Sequence, residues 1–407
     1  MNVISCLKWL PKSYTYTDFF QSYIHRAEED ASDIDVDQEG EDQRDEITDE
    51  FDLDNYDADE VPGNSAICII TPINVQTGEQ FFTLSNEDEK LIVEDAEDVE
   101  SRKLDGDDRV IVCGNSGEDC ASIDFFIYNT AYCGLETCHS ILIASFPLVL
   151  EIVPNLPNYA PLVAAGTYES HIDIWDMRQI DKLDPVITLG GQGESQNQGH
   201  QDAVQCLSNS PHVSQLMASG SADNTVKVWD LNEAQVLHSF IHHTSNVQVV
   251  QFSPFDASLL LTASFDKTAA LCDIRECKSN TSLKLDSDVE SAIWKGANNI
   301  VVSMEDGSVA EYDIRSEKML WQIKAHKKAC SSVQLVDNVM VTCGLDSKAK
   351  VYKLGGTKPT KLASKNLNAG PLFSVEGSPD DKHLMGFGGE LLVLWDLETI
   401  DRFNDMI

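Results

Sequence analysis

The segment LMASGSADNTVKVWD, residues 216–230, holds two short apolar runs separated by a polar turn. Leu216 to Ala218 are apolar, and Val226 to Trp229 are β-branched or aromatic apart from Lys227. Ser219-Gly220-Ser221-Ala222-Asp223-Asn224 carries the residues that favour turns. The segment therefore reads as a hairpin, and Gly199-His200 stands upstream of it. Its ending recurs on both sides. Ile172-Asp173-Ile174-Trp175-Asp176 and Leu392-Val393-Leu394-Trp395-Asp396 close on the same Trp-Asp pair. Degenerate copies close at Asp273 (ALCD), Asp313 (AEYD) and Lys353 (KVYK), and IDFFIYN, Ile123 to Asn129, puts Tyr128 at the tryptophan position.

The anchor positions lie 47, 54, 43, 40, 40 and 43 residues apart. A period of about 40–45 residues with four strands per unit and a GH…WD pattern is the mark of the WD repeat. Seven anchors predict an all-β chain folded as a seven-bladed WD40 β-propeller. The Gly/Gln-rich stretch GGQGESQNQG at 190–199 accounts for the longest interval. A closed ring removes the exposed sheet edge, and its last blade must borrow a strand from the other end of the chain. Little follows Asp396, so the outer strand is expected from Ala66 to Ile73 (AICIITPI) or from Ile4 to Leu10 (ISCLKWL). The expected organisation is a propeller strand within 1–17, an acidic disordered insertion over 18–62 and the propeller over 63–404.

Each good repeat carries a His, a Ser or Thr, an Asp and a Trp at fixed offsets. These are His200, Ser219, Asp223 and Trp229 in the opening unit. A closed network of buried polar groups satisfies its own members, so the set is expected to be structural. Two further units keep most of it: His243, Thr262 and Asp266 with Cys272, and His326, Thr342 and Asp346 with Tyr352. Units lacking the tryptophan lose its N–H donor and should have shorter networks. A hydrolase triad is the competing reading of His, Ser and Asp. Recurrence at the repeat period argues against it, as does the lack of a nucleophile elbow or oxyanion-hole motif. No P-loop, dinucleotide fingerprint or HExxH occurs. Gly386-Phe387-Gly388-Gly389 leads into a strand and reads as a hairpin turn. No catalytic residue, cofactor or metal is expected.

The chain has 29 Lys and Arg against 68 Asp and Glu, for a formal charge of -39. Binding a phosphate backbone needs clustered basic residues, so nucleic acid is expected only as an indirect partner. Basic proteins suit this balance. From Glu28 to Glu60 stand eighteen acidic residues and a single basic one, Arg44, a pattern that cannot bury a core. Within it Phe51, Leu53 and Tyr56 interleave with carboxylates, which suits a short docking peptide as well as a plain linker. Ser32, followed by Asp33 and Asp35, suits an acid-directed kinase and makes the chain a candidate phosphoprotein. A second acidic run, Glu87 to Asp108, is broken by Leu91, Ile92 and Val93 and reads as a loop between strands. No run is apolar enough to span a membrane, and the start lacks the apolar length and cleavage site of a secretory signal.

Eleven cysteines, mostly inside strand-like runs, suit a reducing compartment better than a disulfide framework. The Asn280-Thr281-Ser282 sequon has no secretory route to give it meaning. Cys113, Cys120, Cys133 and Cys138 with His139 invite a zinc reading, but their spacing lacks a compact CxxC pair.

Longer stretches add a resemblance. ISCLKWL near the start, FDLDNYD (51–57), VIVCG ending at Gly114, ASFPLVLEIV from Ala144, DPVITLG (184–190) and SPFDASLLLTASFDKTAALCDIR (253–275) resemble the periodic tryptophan protein 1 family of WD-repeat proteins. The resemblance implies a nuclear and nucleolar protein of ribosome biogenesis, acting in ribosomal RNA transcription or processing. It also implies chromatin association through histones, with ribosomal or ribosome-assembly proteins as further partners. Family members carry a lysine-rich segment after the DPVITLG motif, where this chain has GGQGESQNQG. A separate reading is a substrate receptor of a cullin-RING ubiquitin ligase, because Trp175-Asp176-Met177-Arg178 fits the adaptor-binding box of such receptors. Arg178 is then the residue that would dock.

Overall fold

The computed structural model describes residues 3–12, 67–70, 104, 106–117, 120–153, 156, 161–177, 184–190 and 199–400. Among them the chain forms seven four-stranded antiparallel sheets and one short 3-10 turn, Leu397–Thr399. Blade 1 consists of Val3–Leu10, Asp108–Ser116, Ala121–Asn129 and Gly134–Ile143. Blades 2 to 6 begin at Pro147, Val204, Val247, Val289 and Ser332 and run through four consecutive strands each. Blade 7 consists of Ser374–Gly377, Leu384–Gly388, Leu392–Asp396 and, as its outer strand, Ile67–Ile70. The first strands contact one another in a closed circuit, blade 1 meeting both blade 2 and blade 7, so they line the axis. The fold is a seven-bladed β-propeller, and the seven repeat anchors all fall on third strands.

The N-terminal region supplies two strands instead of one. Ile67–Ile70 pairs antiparallel with Leu392–Trp395 and supplies the outer strand of blade 7. Val3–Leu10 does something different. It is the innermost strand of blade 1, paired with Val110–Ser116. Ring closure is thus made twice, and the Ile4 N–H donates to the Gly389 carbonyl across the seam at 2.7 Å. The acidic run with Phe51, Leu53 and Tyr56, together with Ser32, lies outside the described residues, as does most of the second acidic run.

The alternation of the strands explains how the blades stack. Each interface between neighbouring blades has its own apolar cluster. One contains Val249, Leu261 and Ala263 of blade 4 against Trp294, Ile300 and Tyr312 of blade 5. At the seam Ile4, Leu7 and Trp9 pack on Leu384, Leu392 and Leu394. Burying both faces of every sheet requires close approach near the axis. A Cβ on Gly388 would stand 2.5 Å from Ser374 Oγ and 2.9 Å from the Ile4 carbonyl, so only glycine fits. The expectation that Gly386 to Gly389 is a turn is corrected here. Gly386 and Gly388 are strand residues beside the seam, and only Gly389 begins the turn.

Candidate functional site

The polar networks sit where the loop entering a blade meets its central hairpin. In blade 3 Ser219 Oγ lies 2.7 Å from both Trp229 Nε1 and His200 Nε2. His200 Nδ1 lies 3.1 Å from Asp223 Oδ2. Burial pushes the His200 pKa down. Burial pushes Asp223 up, but hydrogen bonds from His200 and Thr225 outweigh it and hold the carboxylate below its usual range. The imidazole is therefore neutral and the carboxylate ionised. Asp223 fixes the tautomer by accepting from Nδ1–H, Ser219 O–H donates to Nε2, and the indole N–H donates to Ser219. Each polar group in the chain of contacts has a partner, and Asp223 also accepts from the Gln201 and Thr225 N–H groups. Such a set ties loop to hairpin and leaves no nucleophile exposed.

Blade 6 repeats the arrangement, with His326 Nε2 at 2.9 Å from Thr342 Oγ1 and Nδ1 at 2.8 Å from Asp346 Oδ1. Tyr352 is buried at the tryptophan position. Blade 4 corrects the expectation of a shorter network. His243 meets Thr262 at 3.0 Å and Asp266 at 3.0 Å. Cys272 leaves room at the tryptophan position, and His242 Nε2 takes it, 2.9 Å from Thr262 Oγ1 and 3.7 Å from Cys272 Sγ. Burial pushes His242 down to about 4, so its neutral ring supplies the N–H that the indole supplies elsewhere. The paired histidines at 242 and 243 were the available signal in the sequence. Blade 5 is built differently again. Trp321 Nε1–H donates to the buried Glu311 carboxylate, which also holds Lys295 at 2.6 Å and Asn299 at 2.7 Å.

The comparisons with known proteins agree with this architecture. The WD domain, G-beta repeat family matches residues 193–230 and 234–273. The chain is 30% identical to the periodic tryptophan protein 1 homolog of Drosophila melanogaster, over 84% of this chain and 75% of that protein. The chain belongs to the periodic tryptophan protein 1 family. Periodic tryptophan protein 1 of Saccharomyces cerevisiae is 23% identical over 86% of this chain and 75% of its own length. A U3 small nucleolar RNA-associated protein 15 homolog of Xenopus tropicalis is 26% identical over 55% of this chain and 41% of its own length.

For a member of this family built on a WD40 propeller, the surface is what meets other proteins. Four exposed apolar side chains lie on the loops at the network end: Phe146 and Tyr168 of blade 2, Ile241 before blade 4 and Phe373 before blade 7. On the same end blade 6 carries Lys327, Lys328, Lys348 and Lys350, a basic sector in an acidic chain. Arg178 lies outside the described residues. Its counterpart in blade 4, Arg275, folds back on Asp273 of its own turn at 3.1 Å. The cysteines of the zinc reading are scattered: Cys113 is buried in a strand, Cys120 and Cys133 are exposed, and Cys138 contacts His139 at 3.2 Å. Among the described residues the three-residue group close enough to share an ion is His383, Asp396 and Glu398, of which Glu398 is exposed.

Proposed function

We propose that this chain is a non-catalytic scaffold of ribosome biogenesis, acting in ribosomal RNA transcription or processing in the nucleus and nucleolus. It binds basic proteins, including histones on chromatin and ribosomal or ribosome-assembly proteins. The observation that carries the reading is the family relation, which covers 84% of the chain and not a single repeat. Two features support it. The formal charge of -39 selects cationic partners. The His, Ser or Thr and Asp sets are consumed in holding loops to hairpins, which leaves them no chemistry to perform. The relative named for its association with a small nucleolar RNA points to the same compartment. In this reading the acidic segment 18–62 contributes Phe51, Leu53 and Tyr56 to holding a basic partner.

Affinity purification with mass spectrometry tests it, using the intact chain and a deletion of residues 28–60 at two salt concentrations. Recovery of histones or ribosome-assembly proteins that weakens with salt and with the deletion is the expected outcome. Recovery of neither class sinks the reading. A cullin adaptor captured by the intact chain and lost with Arg178→Ala would replace it by the ligase-receptor reading.

A further inference from the structure

Blade 2 departs from its neighbours at the centre of the network. Ala165 faces Asp173 across the hairpin as Ser219 faces Lys227 in blade 3, and Trp175 faces Val163 as Trp229 faces Met217. The blade has kept the indole and lost its acceptor. Trp175 is 5% exposed, and among the described residues its Nε1–H has no hydrogen-bond partner. A cavity of about 20 Å³ lies beside it, walled by Ala165, Thr167, Glu169 and Asp173. That is room for a single oxygen atom.

A neighbouring cleft of about 410 Å³ shares Glu169, His171 and Asp173 with the cavity and runs to Pro185 and Thr188. The charge here is inverted relative to blades 3 and 6. Asp173 holds the register position occupied by Lys227 in blade 3 and Lys350 in blade 6. Thr188 Oγ1 donates to its carboxylate at 2.8 Å and His171 Nε2 lies 3.3 Å from it, so the group is held in place over the cleft. Glu169 is exposed beside it. Next to Glu169 stands Tyr168, 61% exposed and edge-on to Phe146 at 6.3 Å. Two carboxylates beside an open aromatic ring match a planar, forked cation better than a compact ammonium. A buried donor over a one-atom cavity asks for an acceptor oxygen from the same ligand.

We propose that this cleft is a peptide site that takes an arginine side chain between Glu169 and Asp173, beside the exposed Tyr168, while a carbonyl oxygen of that peptide accepts the Trp175 N–H. The proposal rests on the basic-partner reading and assigns one of its contacts to blade 2 instead of the acidic run. The chain has six tryptophans. Each gives its own indole signal in a nitrogen-15 correlation spectrum, and Trp175→Phe assigns the one that matters. The intact chain is titrated with N-acetyl-Gly-Arg-Gly-amide and with its lysine and citrulline counterparts.

The expected result is a saturable shift of the Trp175 indole signal with the arginine peptide. Binding should weaken about ten-fold or more for citrulline, and by as much in Glu169→Gln with Asp173→Asn, because both remove the charge-assisted contacts. An indole signal that does not move overturns the site. So does a citrulline peptide that binds equally, or binding that survives the double substitution. A lysine peptide that binds as tightly overturns the guanidinium assignment. Failure here with salt-sensitive capture intact leaves the basic-partner reading standing without this cleft.

Discussion

Ser219→Ala removes the atom through which the blade 3 network passes. Its Oγ touches two partners at 2.7 Å, the His200 imidazole and the Trp229 indole, and the residue is fully buried. A hydrogen bond is worth about 1 kcal/mol net, but a buried polar group left without a partner costs about 1–3 kcal/mol. Two groups are stranded here, and relaxation recovers part of that, so the expected loss is about 2–4 kcal/mol. Urea unfolding followed by tryptophan fluorescence measures it as a lower midpoint with unchanged slope. Trp229→Phe removes the indole donor while sparing the Ser219–His200 pair. The combined variant should then lose about 1 kcal/mol less than the sum of the two single losses, because both delete the same bond. A Ser219→Ala loss no larger than that of the exposed Ser316→Ala, or full additivity, would refute the claim that Ser219 joins the two sides.

Three further outcomes follow from the same geometry. Burial depresses His139 and His242 from 6.5 to about 4, so between those values the unfolded chain binds protons that the folded chain refuses. Stability is therefore full above pH 6.5 and falls as pH drops toward 4, by at most about 3 kcal/mol for each group. Urea midpoints at pH 7.5 and 5 check this, and a flat profile contradicts it. Near the axis Lys8 of blade 1 sits 3.0 Å from Glu151 of blade 2 and 3.7 Å from Glu376 of blade 7. Lys8→Met should cost about 1–3 kcal/mol, discounted for partial exposure, and adding Glu151→Gln should restore part of it by relieving the two unopposed carboxylates. Ala165→Ser should do the reverse of the blade 3 change, stabilising the protein by about 1 kcal/mol by giving Trp175 an acceptor. A melting point that falls instead would show that the blade 2 cavity cannot hold the hydroxyl.

The ring and its seven blades were legible because the period is enforced by packing. Every third strand places a buried residue opposite the second strand, and Tyr128, Trp175, Trp229, Cys272, Tyr312, Tyr352 and Trp395 all mark that register even where the tryptophan is gone. The networks of blades 3, 4 and 6 were legible for the same reason. Their members stand at repeated offsets, and repetition separates a structural set from an active site. What could not be read was which group fills a vacancy. His242 enters blade 4 from the position that Gly199 and Ala325 hold in blades 3 and 6, and only the space beside Cys272 explains it. The role of Val3–Leu10 was also hidden. Inner and outer strands share the same apolar alternation, so the pattern names a strand without saying which edge it takes.

The repeat also shows where to look for what distinguishes this chain from any other propeller. A position whose residue is fixed by the network carries no information about partners, since its chemistry is spent inside the blade. His200, Ser219 and Asp223 are such positions. A position that departs from the repeat without an internal replacement is different. Blade 4 compensates for its missing indole with His242, and blade 5 has apolar Val302 at the Ser219 position with Tyr312 at the tryptophan position, so no indole is stranded there. Blade 2 alone keeps a buried indole N–H with nothing to receive it among the described residues, and inverts the neighbouring charge from lysine to Asp173. Local rules are broken without compensation mainly where something outside the chain completes them. That reasoning, more than exposure or charge alone, singles out blade 2 among seven similar sheets.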